Sequence, residues 1–305
     1  MMDEWQREGE TTGLMRIKQT EYYVGETDHL KIYEEHPDVS SLSRCPRSLQ
    51  FVVNDVNALD VGFRPDHSVS FTSLTMTPAV YLARLVDEIA VLGGRFHRAR
   101  LGRLEDLACP QVSAMVGSTP RLVVVCAGLG ARTLGGVEDA SVYPTRGQVM
   151  KVKAPWNREG FTRQVGSLNG AEGGERTYVI PRPSGEVIIG GTREVNDWEA
   201  YPRDDTKGDI MRRAVEICPG LPPKHTSGTA DAVQDIVIDH LVGFRPSREG
   251  GVRLEAGASL TLAGKRMSVI YNYGHGGAGW QSCWGCAEDV ARLVAEDLRG
   301  DLAKM

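Results

Sequence analysis

A β-branched and aromatic run, MSVIYNY, empties at Gly274 into GHGGAG and continues without a linker into a helical pattern, the whole unit spanning Met267 to Trp284. A strand, a glycine loop and a helix in direct succession confine the chain to an α/β arrangement, with the strand's carboxyl end and the helix's amino end at one place. Glycines 274, 276, 277 and 279 let the backbone approach a ligand closely, and the unpaired N–H groups of the first helical turn point at it. An anionic or electron-rich ligand suits that position. The spacing of Gly274, Gly276 and Gly279 also satisfies G-x-G-x-x-G, but a dinucleotide fingerprint needs a later strand with an acidic residue about 20 positions on. The residues beyond Gln281 read instead as one helix, Ser282 to Leu298, with Trp284, Ala287, Val290, Ala291, Val294 and Leu298 on its buried face. The segment is read as a closing helix aimed at a cofactor; a tight turn serving packing alone is the plainer alternative.

Upstream, Thr77-Pro78 starts a helix whose apolar face is Tyr81, Leu82, Leu85, Ile89 and Leu92, and Gly93-Gly94 ends it. A strand is expected at Arg95 to Leu101, then a short polar helical piece, then the apolar strand Arg121 to Ala127, whose LVVVCA run suits a buried parallel position. That strand empties into Gly128-Leu129-Gly130-Ala131, a second glycine turn at a strand's carboxyl end, where open α/β sheets bind ligands. Between the two glycine loops, Arg146 to Lys153, Thr177 to Ile180 and Glu186 to Ile189 read as strands of a separate, largely antiparallel sheet, with turns at Pro183-Ser184-Gly185 and Gly190-Gly191. Residues 20 to 70, with alternation in QFVVNDV, are expected to pair with the same sheet. The fold class is therefore mixed α/β, two interleaved domains.

The 305 residues, 41% hydrophobic and 25% charged with a formal charge of −5, suit a soluble globular protein of one or two domains. No apolar run approaches the ~20 residues of a transmembrane helix, and the start MMDEWQREGE is too polar for a signal peptide, so an intracellular protein is expected. Six cysteines (45, 109, 126, 218, 283, 286) form no paired framework. Cys283 and Cys286 do form C-W-G-C, where packed helix cysteines are preferred to a redox pair and no metal site is expected. No basic stripe with interleaved aromatics suggests nucleic acid.

Tyr178 in TYVIP and Arg245 in GFRP are polar groups inside apolar strand-like runs, and buried polar groups must find partners. A ligand carboxylate would satisfy both, since arginine grips it by two parallel hydrogen bonds and a phenol adds a third; a structural ion pair for Arg245 and a packed Tyr178 are the alternative. Four segments, RGQVMKVKAP, YVIPRPSGEVIIGGTREVNDW, VGFRPSREGGVRLE and YNYGHGGAGWQSCWGCAEDVARLV, resemble the D-amino-acid oxidase and D-aspartate oxidase family, from about Ser70 to the end of the last helix.

That resemblance implies a glutathione-reductase-like FAD-binding domain interleaved with an antiparallel-sheet substrate domain. Residues 1–70 and 148–240 are assigned to the substrate domain and 71–147 and 241–305 to the FAD-binding domain. It implies FAD as cofactor and oxidative deamination of D-amino acids: hydride passes from Cα to flavin N5, oxygen becomes hydrogen peroxide, and the imino acid hydrolyses to a 2-oxo acid and ammonia. Tyr178 and Arg245 would hold the α-carboxylate and Gln281 would join them in catalysis. Gly277 and Arg193 would complete the substrate contacts. Gly128, Leu129, Gly130, Arg146, Gly147, Gln148 and the run Gly274, His275, Gly276, Gly277, Ala278, Gly279, Trp280, Gln281 would hold FAD. His275, a histidine among glycines, is read as a positioning residue rather than a base. No side chain need act as general base, because the cofactor performs the difficult step.

Arg193 separates the branches. Aspartate-type members carry arginine directly after GGT, as here, and a buried second carboxylate needs a cationic partner. Dicarboxylic D-amino acids are therefore expected, with neutral D-amino acids second; Arg193 folded onto Glu194 or Asp197 is the competing reading. Members of the family also open with a strand and a true G-x-G-x-x-G turn, whereas this chain starts at Met1-Met2-Asp3-Glu4-Trp5. An N-terminally incomplete FAD domain and weak FAD retention are thus expected, with an inactive remnant or a non-enzymatic binding protein as the contrasting class. The closing Ala303-Lys304-Met305 fits a peroxisomal address read by an import receptor, with the cytoplasm second. A homodimer is compatible with these features.

Overall fold

The computed structural model describes residues 1–25, 51–166, 174–226, 228–262 and 264–302. Cys45, Gln50 of QFVVNDV and the closing Ala303-Lys304-Met305 lie outside the described residues. In chain order the elements are helix α1 (Met2–Glu8), strands β1 (Leu14–Val24), β2 (Val52–Val53) and β3 (His67–Met76), helices α2 (Pro78–Val91) and α3 (Pro110–Val116), and strand β4 (Leu122–Val125). Strands β5 (Val142–Lys153), β6 (Gly160–Val165), β7 (Glu175–Pro181), β8 (Glu186–Gly190) and β9 (Glu194–Val195) come next, then helices α4 (Asp204–Ile217) and α5 (Asp231–Gln234). Strands β10 (Val237–Arg248), β11 (Arg253–Ala256), β12 (Leu260–Leu262) and β13 (Lys265–Tyr273) lead into helix α6 (Gly279–Leu302). The fold is mixed α/β, and the chain divides into two compact units. The first takes Met1–Gly94, Gly147–Arg193 and Glu199–Gly243; the second takes Arg95–Arg146, Glu194–Trp198 and Phe244–Met305.

The first unit is built on a sheet in the order β5-β8-β7-β6-β1-β3-β2, with β10 beyond β5. Its described registers are antiparallel apart from β1 with β6, which runs parallel. Residues 71–94, grouped with 95–147 on sequence, fall in this unit because β3 pairs with β1 from Leu14↔Met76 to Tyr23↔His67. Helix α4 covers the sheet through Ile210, Ala214 and Ile217, the i, i+4, i+7 stripe of an amphipathic helix, packed on Met150, Val152, Val179, Val187 and Ile189. Polar ties flank this core. Arg163 donates to Glu216 at 2.7 Å, and Arg213, 3% exposed, donates to Thr177 Oγ1 at 2.8 Å and to Asp209 at 2.7 Å.

Burial pushes the Glu216 carboxyl up, but hydrogen bonds from Arg163 and Arg212 outweigh it and hold its pKa below the ordinary value. Asp209, held by Arg213 and Arg212, behaves likewise. A carboxylate whose pKa is lower folded than unfolded adds stability above its unfolded value, near 4, and loses it as pH falls through the folded value. The expected result is a urea midpoint that is level from pH 7 to about 5 and falls below about 4, with Glu216→Gln flattening the fall.

In the second unit β13 is central. It pairs in parallel with β4 (Ser268↔Leu122 to Tyr271↔Val125) and antiparallel with β11 and β12. Met267, Val269, Tyr271 and Tyr273 pack with Leu104, Val125, Ala131 and Val142. The parallel pairing expected of the LVVVCA run is present, but its burial is corrected: Leu122, Val123 and Val124 are half-buried, Cys126 is exposed, and Val125 alone is buried.

Three further expectations are corrected. Arg95–Leu101 forms no strand, because its apolar residues, Phe96, Ala99 and Leu101, are isolated among Arg95, His97, Arg98 and Arg100 and make no continuous face to bury. On α2, Tyr81 is buried and Leu85 half-buried, while Leu82, Ile89 and Leu92 are exposed. On α6, Trp284, Ala287, Ala291 and Leu298 are exposed, and the covered strip is Cys283, Cys286, Val290, Leu293 and Val294. A helix resting on a narrow sheet, here β11 and β13, buries a strip narrower than its apolar face. All five described cysteines are free thiols. Among the described residues no helix is long and apolar enough to cross a membrane, and no group of three His, Cys, Asp or Glu side chains could hold a metal.

Candidate functional site

After Tyr273 the chain turns through Gly274 (φ 88°) and Gly276 (φ 54°), both in the left-handed region that glycine enters without strain, and starts α6 at Gly279. At Gly274 the loop rests too closely on its neighbour to admit a side chain, while at Gly276 and Gly277 it lies at ordinary contact distance. A Cβ at Gly274 would come within 2.8 Å of Arg248 Cβ, one at Gly276 within 3.4 Å of Ser247 Oγ, and one at Gly277 within 3.5 Å of Arg245 Cδ. A backbone bridge joins Ser247 to His275. The second glycine turn, Gly128–Arg132, follows β4, and a Cβ at Gly128 would lie 3.8 Å from Pro246 Cβ. Two glycine loops more than a hundred positions apart in sequence therefore share one seat, the Arg-Pro-Ser-Arg end of β10. Sequence reasoning singled out Arg245 but missed Pro246, Ser247 and Arg248; the repeat of arginine three residues on was their visible trace.

Arg146 is fully buried and donates to Glu194 at 2.5 Å, so its charge is neutralised within the protein. This ion pair fixes β9 against β5, with Arg146 opposite Glu194. Arg245, half-buried beside Gly277, donates to the Arg146 carbonyl at 3.4 Å. Ser247 shares a 2.7 Å hydroxyl bond with Thr145. Burial lowers the pKa of His275, which favours the neutral imidazole. Trp280 and Gln281 are exposed in the first turn of α6, where the helix dipole is positive.

Tyr178, in the first unit, stands opposite Gly190 in the β7–β8 register. Its ring lies on the glycine pair: a Cβ at Gly190 would be 3.2 Å from the ring and one at Gly191 2.4 Å from the phenolic oxygen. Two residues on, Arg193 is exposed. Gln148, fully buried, exchanges two hydrogen bonds with the backbone of Arg203 (2.7 and 2.8 Å), and its N–H donates to Thr192 Oγ1 at 2.9 Å, so its groups brace the segment carrying Arg193. Gly147 begins this part of β5. Of the residues read from the sequence, Tyr178, Arg193, Gly147 and Gln148 fall in the first unit. Arg146, Arg245, Gly128, Leu129, Gly130 and Gly274 to Gln281 fall in the second.

A family model described as DAO, FAD dependent oxidoreductase, matches residues 40–293. The chain belongs to the FAD-dependent oxidoreductase family. This oxidoreductase is 51% identical to a D-aspartate oxidase of Cryptococcus neoformans var. grubii, covering 98% of this chain and 78% of that one. It is 35% identical to a D-amino-acid oxidase of Fusarium vanettenii over 78% of this chain, spanning 62% of the relative's length. In fold it is similar to glycine oxidase from Geobacillus kaustophilus, with a TM-score of 0.63 at 18% identity over 97% of this chain and 75% of the other.

FAD is thus the cofactor of this oxidoreductase, and the second unit suits it. Four glycines leave the backbone of residues 274–279 bare of side chains other than His275 and Ala278, at the positive end of a 24-residue helix. Such an end stabilises negative charge on a flavin ring.

Proposed function

We propose that this oxidoreductase carries out FAD-dependent oxidative deamination of D-amino acids and prefers acidic ones such as D-aspartate. The observation that carries the reading is Arg193, two residues past the glycine that seats the Tyr178 hydroxyl, in the GGTREVNDW context. Likeness to a D-aspartate oxidase at 51% identity supports it.

In this reading Arg245 grips the α-carboxylate through its planar fork and Tyr178 donates a further hydrogen bond without adding charge. Arg193 pairs with the side-chain carboxylate. FAD, when bound, would supply the two-electron acceptor, with oxygen as the final oxidant and hydrogen peroxide as its product. His275, favoured neutral by burial, orients its loop and takes no proton from Cα. The released imino acid takes up water to give a 2-oxo acid and ammonia.

The test is peroxide formation by the FAD-saturated chain with D-aspartate, D-alanine and L-aspartate at equal concentrations. The expected result is a kcat/KM at least about tenfold higher for D-aspartate than for D-alanine, a difference of ~1.4 kcal/mol in transition-state binding, and no turnover of L-aspartate. Higher turnover of D-alanine would replace the acidic reading with the neutral one.

A further inference from the structure

A single carboxylate ties together the parts of the second unit that carry its two glycine loops. Asp139 lies between the Gly128–Arg132 turn and β5, with its side chain 7% exposed. Its backbone N–H donates to the carbonyl of Ala131, inside the first glycine turn, at 3.0 Å. Its side chain accepts from Arg248 Nε at 2.8 Å, from the Tyr273 hydroxyl at 3.0 Å and from the N–H of Ser141 at 3.0 Å.

Each partner is placed to pass that restraint to the second loop. Tyr273 is the residue immediately before Gly274. Arg248 carries its side chain beneath Gly274, whose missing Cβ would stand 2.8 Å from Arg248 Cβ and 3.1 Å from Cδ, and it closes on the carbonyls of Glu249 and Gly251 at 3.2 Å each. Arg253 completes the cluster, donating to the Tyr273 hydroxyl at 2.8 Å and stacking 3.8 Å over the Tyr271 ring. Burial pushes the Asp139 carboxyl up, but the bonds from Arg248, Ser141 and Tyr273 outweigh it, so the group stays ionised and charge-assisted.

We propose that Asp139 is a positioning residue for FAD: acting through Arg248 and Tyr273, it fixes the Gly274 loop relative to the Gly128 turn and so sets cofactor affinity. A loop held in one conformation binds without losing that freedom on association, whereas a loosened one must be ordered at the expense of affinity. The proposal rests on the assignment of the two glycine loops to FAD and is independent of the substrate assignment.

The test compares the full chain with Asp139→Asn, which keeps the side-chain shape and loses the charge, and with Tyr273→Phe, which removes one hydroxyl. FAD affinity is read from flavin fluorescence quenching. Kinetics at saturating FAD and thermal unfolding without FAD are measured in parallel. The expected result is an FAD dissociation constant raised about tenfold or more in Asp139→Asn and about threefold in Tyr273→Phe. The KM for D-aspartate at saturating FAD stays within about twofold, and the FAD-free midpoint of Tyr273→Phe stays within about 2 °C of the unsubstituted chain. If Asp139→Asn unfolds, Tyr273→Phe decides alone. Unchanged FAD affinity in a folded variant overturns the clasp; absence of quenching by the unsubstituted chain overturns the cofactor assignment of the loops, and the clasp with it.

Discussion

Replacing Arg245 with alanine is expected to lower kcat/KM for every D-amino acid tested by roughly 30- to several thousand-fold, with D-aspartate and D-alanine falling together. Every such substrate carries an α-carboxylate, and truncating one partner of a desolvated, hydrogen-bonded charge pair costs about 2 to 5 kcal/mol. Arg245 also lies against Gly277 and holds the Arg146 carbonyl, so FAD affinity must be measured on the same variant. Arg245→Lys separates the two roles. It keeps the charge and most of the stem that packs on the loop but loses the fork, and should recover FAD binding while leaving turnover well below the unsubstituted enzyme. Equal activity of Arg245→Ala and the unsubstituted chain would remove the carboxylate clamp from the mechanism.

Arg193→Ala should instead act selectively, reducing the preference for D-aspartate over D-alanine by roughly 30- to 1000-fold, equivalent to about 2 to 4 kcal/mol. Arg193 is exposed. An effect of that size therefore requires the bound substrate to shield the pair from water, because solvent-exposed ion pairs contribute only about 0 to 1 kcal/mol. The ratio of the two kcat/KM values is the deciding quantity, since it cancels any general loss of folded enzyme. If both substrates lost the same factor, Arg193 would not read the side chain.

The parts of the molecule legible in the sequence were those governed by local rules. Alternation and glycine punctuation located β7, β8 and the Pro183-Ser184-Gly185 turn; the continuous apolar run LVVVCA marked β4 as a parallel strand, though not its partner β13; and the strand, glycine loop and helix that begin at Met267 were visible as a unit. Relations across the chain were not legible. Asp139 has an ordinary neighbourhood in VEDAS, and only folding brings Arg248 and Tyr273 to it from more than a hundred residues away. Gly190-Gly191 reads as a turn in the sequence, while its structural purpose is the Tyr178 ring lying on it, which depends on the β7–β8 register. Apolar periodicity on α2 and α6 gave the helices correctly but overstated their burial, because periodicity reports which face is apolar and not how wide a surface meets it.

The parallel partnership of β4 with β13 has a consequence during synthesis. Leu122–Val125 leaves the ribosome well before Ser268–Tyr271 is made, and at roughly 5 to 20 residues per second the delay is on the order of 10 s. Throughout that interval the nascent chain presents an apolar strand whose described neighbour does not yet exist, a surface prone to wrong pairing. The Gly128 turn emerges in the same interval, before the β10 segment that seats it has been translated. The second unit is thus an all-or-none product of the finished chain, and holding factors that shield a bare Leu-Val-Val-Val strand on the translating ribosome bear directly on how much enzyme a cell obtains.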